Sequence, residues 1–199
     1  MTEFSAVWAY TPIEPLRRWI LARSELARRL EQRDDPCAEL PVSTERKYLE
    51  GQVVLVGYGR VGQRIAEALM TGGIPFVVAE QNREMVEDLR RHGLVAVSGN
   101  AADPAVLIQA HIANAAMLVV STHDLLTVRQ MATTARTLNP DIEVVLCMQS
   151  EDESLMLRKD GLGTVFFGEE ELSKSMIGHV LARFAAEKAP LDDVDRAAA

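Results

Sequence analysis

The run Gln52-Val53-Val54-Leu55-Val56-Gly57-Tyr58-Gly59-Arg60-Val61-Gly62-Gln63-Arg64-Ile65-Ala66 decides how this chain is read. An unbroken β-branched and aliphatic segment stops at Gly57, three glycines follow as G-x-G-x-x-G, and a helix-forming sequence begins at once. A lone glycine triplet carries little weight, but strand, tight turn and helix around it are the context in which it binds a pyrophosphate. In that context Gly57 permits the turn, Gly59 lets backbone N–H groups approach the phosphates, and Gly62 lets the helix lie close to the strand. The helix start adds unpaired N–H donors and a partial positive charge. Arg60 can bring a guanidinium fork to a phosphate.

The motif also asks for an acidic residue about 20 positions on, at the end of the next strand. Glu80 closes the apolar run that starts at Pro75, 23 residues after Gly57. A carboxylate there accepts from both ribose hydroxyls and repels a 2′-phosphate, which favours AMP, ADP, ATP or NAD(H) over NADP. Arg83 is a counter-signal, read here as part of the exposed face of the following helix. The competing reading is a βαβ unit of the same shape that holds no ligand.

Outward from this core, strands are expected over 53–56, 76–80, 94–98, 117–121, 142–148 and 164–167. Helices are expected over 60–71, 82–92, 124–138, 151–160 and 169–188, with one more opening at Pro104 behind the natural N-cap Asp103. Strand and helix alternate six times, and nearly continuous apolar strands require a parallel sheet covered on both faces. The fold class is therefore α/β: a Rossmann-like, doubly wound six-stranded parallel sheet in the order 3-2-1-4-5-6, with an N-terminal helical linker.

A chain of 199 residues accommodates one α/β domain of about 150 residues and a flanking segment. Three parts are expected: 1–49, a juxtamembrane-like Arg-rich helix and linker; 50–188, the nucleotide-binding domain; and 189–199, a disordered tail. Cys37 and Cys147 are far apart in no C-x-x-C pattern, which points to a reducing compartment. His92, His111, His123 and His179 lack metal-ligand spacing, so no metal is expected. Residues 1–49 hold equal numbers of basic and acidic side chains, so the net charge of −8 falls on the rest. An acidic globule is a poor nucleic-acid binder, and none is expected as a partner.

Phe4 to Tyr10 is apolar but far too short to span a bilayer, and it lacks the marks of a signal peptide. From Ile13 to Arg33 the pattern is helical, with Leu16, Ile20, Ala27 and Leu30 on one side and six arginines around the rest. Two readings compete: a solvated, salt-bridged helix, or a cytoplasmic segment beneath a membrane with Trp8, Tyr10 and Trp19 at the interface. Asp34 to Pro41 reads as an extended linker.

Gly57-Tyr58-Gly59-Arg60-Val61-Gly62, then Val77-Val78-Ala79-Glu80, then the turn Gly99-Asn100-Ala101 resemble the RCK or TrkA N-terminal domain. The resemblance extends over about residues 10–188 and is nearest to the cytoplasmic tail of Kef-type cation:proton antiporters, in their YbaL-like branch. It implies a domain that binds an adenine nucleotide (AMP, ADP, ATP) or NAD(H), forms a homodimer, and regulates potassium or other monovalent cation transport without catalysis. Its partner would be a transmembrane antiporter part, in the same longer chain or a separate subunit, and its place the inner face of the cell membrane. Carried over by position, Gly57, Tyr58, Gly59, Arg60, Val61 and Gly62 form the phosphate turn. Glu80 is the ribose carboxylate, Asn100 and Ala101 lie beside the adenine, and Thr122 follows strand four at the same site.

Two departures stand out. Asn100 replaces the usual Asp, keeping a donor and an acceptor but losing a charge. Leu146-Cys147-Met148-Gln149 lacks the arginine the family often has after strand five, which weakens a phosphate contact there. No set of basic residues matches the glutathione response of Kef systems. Lacking any run of 18 apolar residues, the chain is expected to be a transporter fragment, a shortened reading frame, or a peripheral subunit like those of Trk-type potassium uptake.

An NAD-dependent oxidoreductase would share the glycine turn and Glu80. It needs a catalytic pair, and His123-Asp124 is the one candidate, with Asp124 read more simply as a helix cap. In the last helix, Leu172, Met176, Ile177, Val180, Leu181, Phe184 and Ala185 form an apolar stripe, either a dimer surface or a face packed on its own sheet.

Overall fold

The computed structural model describes residues 37–41 and 43–188, the side chains of 185–188 excepted. The Arg-rich stretch from Ile13 to Arg33, the three aromatic residues before it or within it, and the tail 189–199 lie outside the described residues.

Six strands form one parallel sheet: β1 Val53–Val56, β2 Phe76–Glu80, β3 Ala96–Ser98, β4 Met117–Val120, β5 Glu143–Met148 and β6 Thr164–Phe167. Their order is β3-β2-β1-β4-β5-β6, with the reversal between β1 and β4 that a doubly wound sheet requires. The helices are α1 Arg60–Thr71, α2 Arg83–Arg91, α3 Pro104–Gln109, α4 Leu125–Leu138, α5 Glu151–Asp160 and α6 Gly168–Lys188. Alternate strand residues feed two cores. Val54, Val56, Val77, Leu118 and Leu146 pack under Leu107, Val128, Met131 and Leu157, whereas Val53, Leu55, Phe76 and Val78 pack under Ala66, Val86 and Leu89. Burial on both faces explains why the strands read as continuous apolar runs rather than alternating ones.

Helix starts follow the local chemistry. Asn82, Asp103, Asp124 and Ser150 each accept a first-turn N–H of the helix that follows, which fixes α2 to α5 in register with the sheet. The third strand begins two residues later than its apolar run. Gly93 takes a positive φ of 80°, and the Leu94 N–H is used to close α2 on the Leu89 carbonyl, so pairing starts beyond it.

The last helix departs from one of its two readings. Leu172, Met176, Ile177, Val180, Leu181 and Phe184 are each more than half exposed, so α6 does not lie packed on its own sheet. Its root is pinned by Glu170, which accepts from Lys174 at 2.8 Å and Arg158 at 2.6 Å; these two partners hold its carboxylate down at about 2. The sheet shows a matching gap. On the side that α1 and α2 cover elsewhere, Val145 and Cys147 are half-buried and Phe166 is exposed.

Leu146 is fully buried in the centre of β5. Leu146→Ala should cost about 2–5 kcal/mol in urea denaturation, and Val145→Ala, on the open side, clearly less.

Candidate functional site

The carboxyl ends of β1, β2, β3 and β4 meet beside the start of α1, and the glycine turn sits at their centre. Gly57 adopts a φ of 88°, a conformation side chains resist, and its Cβ would press on Ser121 Oγ at 2.9 Å. Ser121 staples this turn by donating within reach of the Val56 and Gly57 carbonyls at 3.0 and 3.1 Å. At Gly62 a Cβ would overlap the Gly57 carbonyl oxygen, so α1 comes as near to the strand as backbone allows.

Gly59 is different. Its φ is −74°, and a Cβ there would meet nothing within 4 Å. Neither conformation nor packing inside the protein calls for glycine, whereas a ligand approaching the backbone does. Gly59 is also the N-cap of α1, and no side chain caps that helix, in contrast to α2 through α5. The first N–H groups of α1 are therefore left to an anion or to solvent. Arg60 and Val61 stand exposed at the same turn, and Tyr58 is half-buried, its phenol pKa raised chiefly by that burial.

Glu80, half-buried at the end of β2, is held from two directions. Its Oε2 accepts the Tyr58 N–H at 2.8 Å and its Oε1 accepts the Asn82 N–H at 2.9 Å. Each oxygen keeps a further lone pair, so an aimed carboxylate can still accept a ribose diol. Arg83 lies along α2 with Glu87 at 3.0 Å, on the exposed helix face, as read from the sequence.

Asn100 is exposed after β3, and its Oδ1 accepts the Ala102 N–H at 3.0 Å. That bond uses one lone pair of the side-chain oxygen and leaves the other, with the amide NH2, able to meet a ligand. Ala101 beside it is buried in the core. Thr122 follows β4 with its methyl 3.0 Å from the Cβ position of Gly57, and its hydroxyl is buried with no partner among the described residues. Asp124 accepts the Thr127 N–H, the hydrogen bond that lowers its pKa, so it serves as the cap of α4. His123 meets Gln149 at 3.1 Å, joining the ends of β4 and β5.

Three contributors escaped the sequence reading: Ser121, Asn82 as a partner of the carboxylate, and Gln149. A serine at a strand end and an amide after it carry no signal of their own; only the register of β1, β2, β4 and β5 brings them to the turn.

A family profile described as the TrkA-N domain matches residues 53–167. A cation/proton antiporter of Escherichia coli strain K12, YbaL, is 36% identical over 124 residues, 62% of this chain and 22% of that one. The glutathione-regulated potassium-efflux protein KefC of Enterobacter sp. strain 638 is 28% identical over 113 residues, 57% of this chain and 18% of that one. The chain thus spans about a fifth of the length of the curated relatives it matches. The crystal structure of the TrkA-N domain of E. coli YbaL superposes with a TM-score of 0.61 at 35% identity, covering 64% of this chain and 95% of that one. Two more distant structures share the fold. The GsuK channel bound to NAD has a TM-score of 0.56 at 21% identity (77% and 27% covered). The Shewanella denitrificans Kef C-terminal domain in AMP-bound form has 0.56 at 17% (70% and 87%).

Gly62→Ala should destabilise the protein by about 1–3 kcal/mol, because the turn must open to admit the methyl. Gly59→Ala, facing open space, should leave the denaturation midpoint nearly unchanged.

Proposed function

The chain belongs to the TrkA-N domain family, and on that premise we propose that it is a regulatory domain that binds an adenine nucleotide or NAD(H) and controls cation transport. One observation carries this reading: the Glu80 carboxylate is fixed by the Tyr58 and Asn82 N–H groups beside a helix start that no side chain caps. The phosphates lie over Gly59 against the first turn of α1, where N–H groups and the helix dipole meet negative charge. Arg60, exposed at the same turn, adds its fork to them. The ribose diol donates to Glu80, and the Asn100 amide addresses the adenine edge. AMP, ADP, ATP and NAD(H) share the adenosine and phosphate parts that these residues meet, and two fold neighbours are solved with NAD and with AMP bound.

One relative is a cation/proton antiporter and another a potassium-efflux system protein, and no described helix is long and apolar enough to cross a membrane. The transmembrane part is accordingly a partner, within a longer chain or as a separate subunit, and this domain works at the cytoplasmic face of the membrane. The oxidoreductase reading has less support, since Asp124 is committed to capping α4 and His123 to Gln149.

A homodimer through α6 completes the proposal. Exposed apolar side chains along α6 and the open β5–β6 face are complementary needs in one molecule, and a second copy can meet both.

Glu80→Ala should weaken AMP or NAD binding by about 1.5–3 kcal/mol in calorimetric titration, as expected for lost charge-assisted hydrogen bonds, while NADP loses less or gains. Wild-type protein that binds NADP as tightly as NAD would contradict the role of Glu80. For the dimer, Ile177→Asp with Phe184→Lys should give a folded monomer in sedimentation; a dimer that survives both changes would rule out α6 as its surface.

A further inference from the structure

The outer edge of the sheet is closed by chain from the N-terminal side. β3 turns the Ser98 N–H and the Ala96 carbonyl away from β2. The Ser98 N–H donates to the Cys37 carbonyl at 2.8 Å, and Arg90 Nε donates to the Ala96 carbonyl at 2.9 Å. Arg90 Nη2 also reaches the Cys37 carbonyl at 3.1 Å and the Glu39 carbonyl at 2.6 Å. The Cys37 side chain is buried in the core beneath α1 and α2. One guanidinium thus joins the linker to the last turn of α2 and to the free edge of β3, which would otherwise expose unpaired groups.

This attachment lies one strand away from the proposed ribose carboxylate. Ser98 stands in register with Glu80, whose carbonyl accepts the Gly99 N–H at 3.0 Å. A second route runs along α2. Its N-cap Asn82 donates its backbone N–H to the Glu80 carboxylate, and its last turn carries Arg90. Both routes begin at Glu80 and end at the Cys37 carbonyl.

We propose that Arg90 and Ser98 latch the Cys37–Glu39 segment to the nucleotide-binding half of the sheet, and that a ligand at Glu80 tightens this latch. The proposal rests on the nucleotide reading given above. A ribose diol donating to both oxygens holds the carboxylate against the Tyr58 and Asn82 N–H groups, which steadies the first turn of α2. A nine-residue helix passes that restraint to Arg90 as a rigid rod about 13 Å long. Nucleotide occupancy then reaches the chain upstream of Cys37 without rearrangement of the sheet. Arg90 acts here as a positioning residue and touches no ligand.

Amide hydrogen exchange on the whole chain tests this, with and without AMP, in wild type, Arg90→Gln and Arg90→Lys, with calorimetry of AMP binding alongside. In wild type, AMP should slow exchange at Ser98 and within residues 38–40. Arg90→Gln should speed Ser98 exchange about tenfold without ligand, abolish the AMP effect there and weaken AMP binding by about the factor by which AMP slows Ser98 exchange in wild type. Arg90→Lys, which keeps the charge but not the fork, should behave the same way, and circular dichroism checks that each variant folds. Unchanged Ser98 exchange in both folded variants would overturn the latch. Wild type that binds AMP with identical exchange at Ser98 would overturn the coupling. If AMP does not bind at all, calorimetry shows that directly and the coupling falls with the nucleotide reading, while Ser98 in the ligand-free variants still decides the latch.

Discussion

The near-contact of α1 with the turn that precedes it is the constraint on which the structure depends. Gly62 has no side chain where one would strike the Gly57 carbonyl, and Ser121 reaches across from β4 to hold that same carbonyl. A helix brought this close directs its first N–H groups at the crevice where the strand order reverses. The same close approach sets the angle of α1 over the second core, against Leu55 and Val78. Fold and candidate crevice therefore draw on one packing contact, and a methyl group at Gly62 disturbs both.

Glu80 carries the complementary part. Its carboxylate binds two backbone N–H groups from different segments, so it is oriented before any ligand arrives. Preorganisation of this kind lowers the cost of binding, because the side chain has little freedom left to lose. The same hydrogen bond from Asn82 ties the carboxylate to α2, the helix whose Arg90 binds the Cys37 and Glu39 carbonyls. The regulatory role proposed above needs such a connection, since occupancy would have to be felt at the Cys37–Glu39 segment.

Much of this was legible in the sequence because each signal had a local cause. The apolar strands, the caps Asn82, Asp103 and Asp124, and the glycine turn are written in consecutive residues, and the element boundaries follow within a residue or two. The family resemblance read from those same segments agrees with the matched profile. What was not legible depends on register across the sheet. Ser121 meets the turn because β4 neighbours β1, and Cys37 meets Ser98 because the linker returns to the free edge of β3. The stretch from Asp34 to Pro41 reads as a plain linker because nothing local announces that Arg90, 53 residues beyond Cys37, will bind its carbonyls. The stripe on α6 is legible as apolar, but its period cannot say whether it faces its own sheet or another molecule.

The central claim is that the crevice between Gly59 and Glu80 holds an adenine nucleotide. Native mass spectrometry of the protein purified without added nucleotide, followed by identification of whatever the denatured protein releases, addresses it most directly. The account predicts a stoichiometric adenine-containing ligand on the wild-type protein and its loss from Gly59→Glu, where a carboxylate occupies the phosphate position. A wild-type protein free of nucleotide that also takes none up from added AMP, ADP, ATP or NAD would contradict it, as would a ligand retained in full by Gly59→Glu.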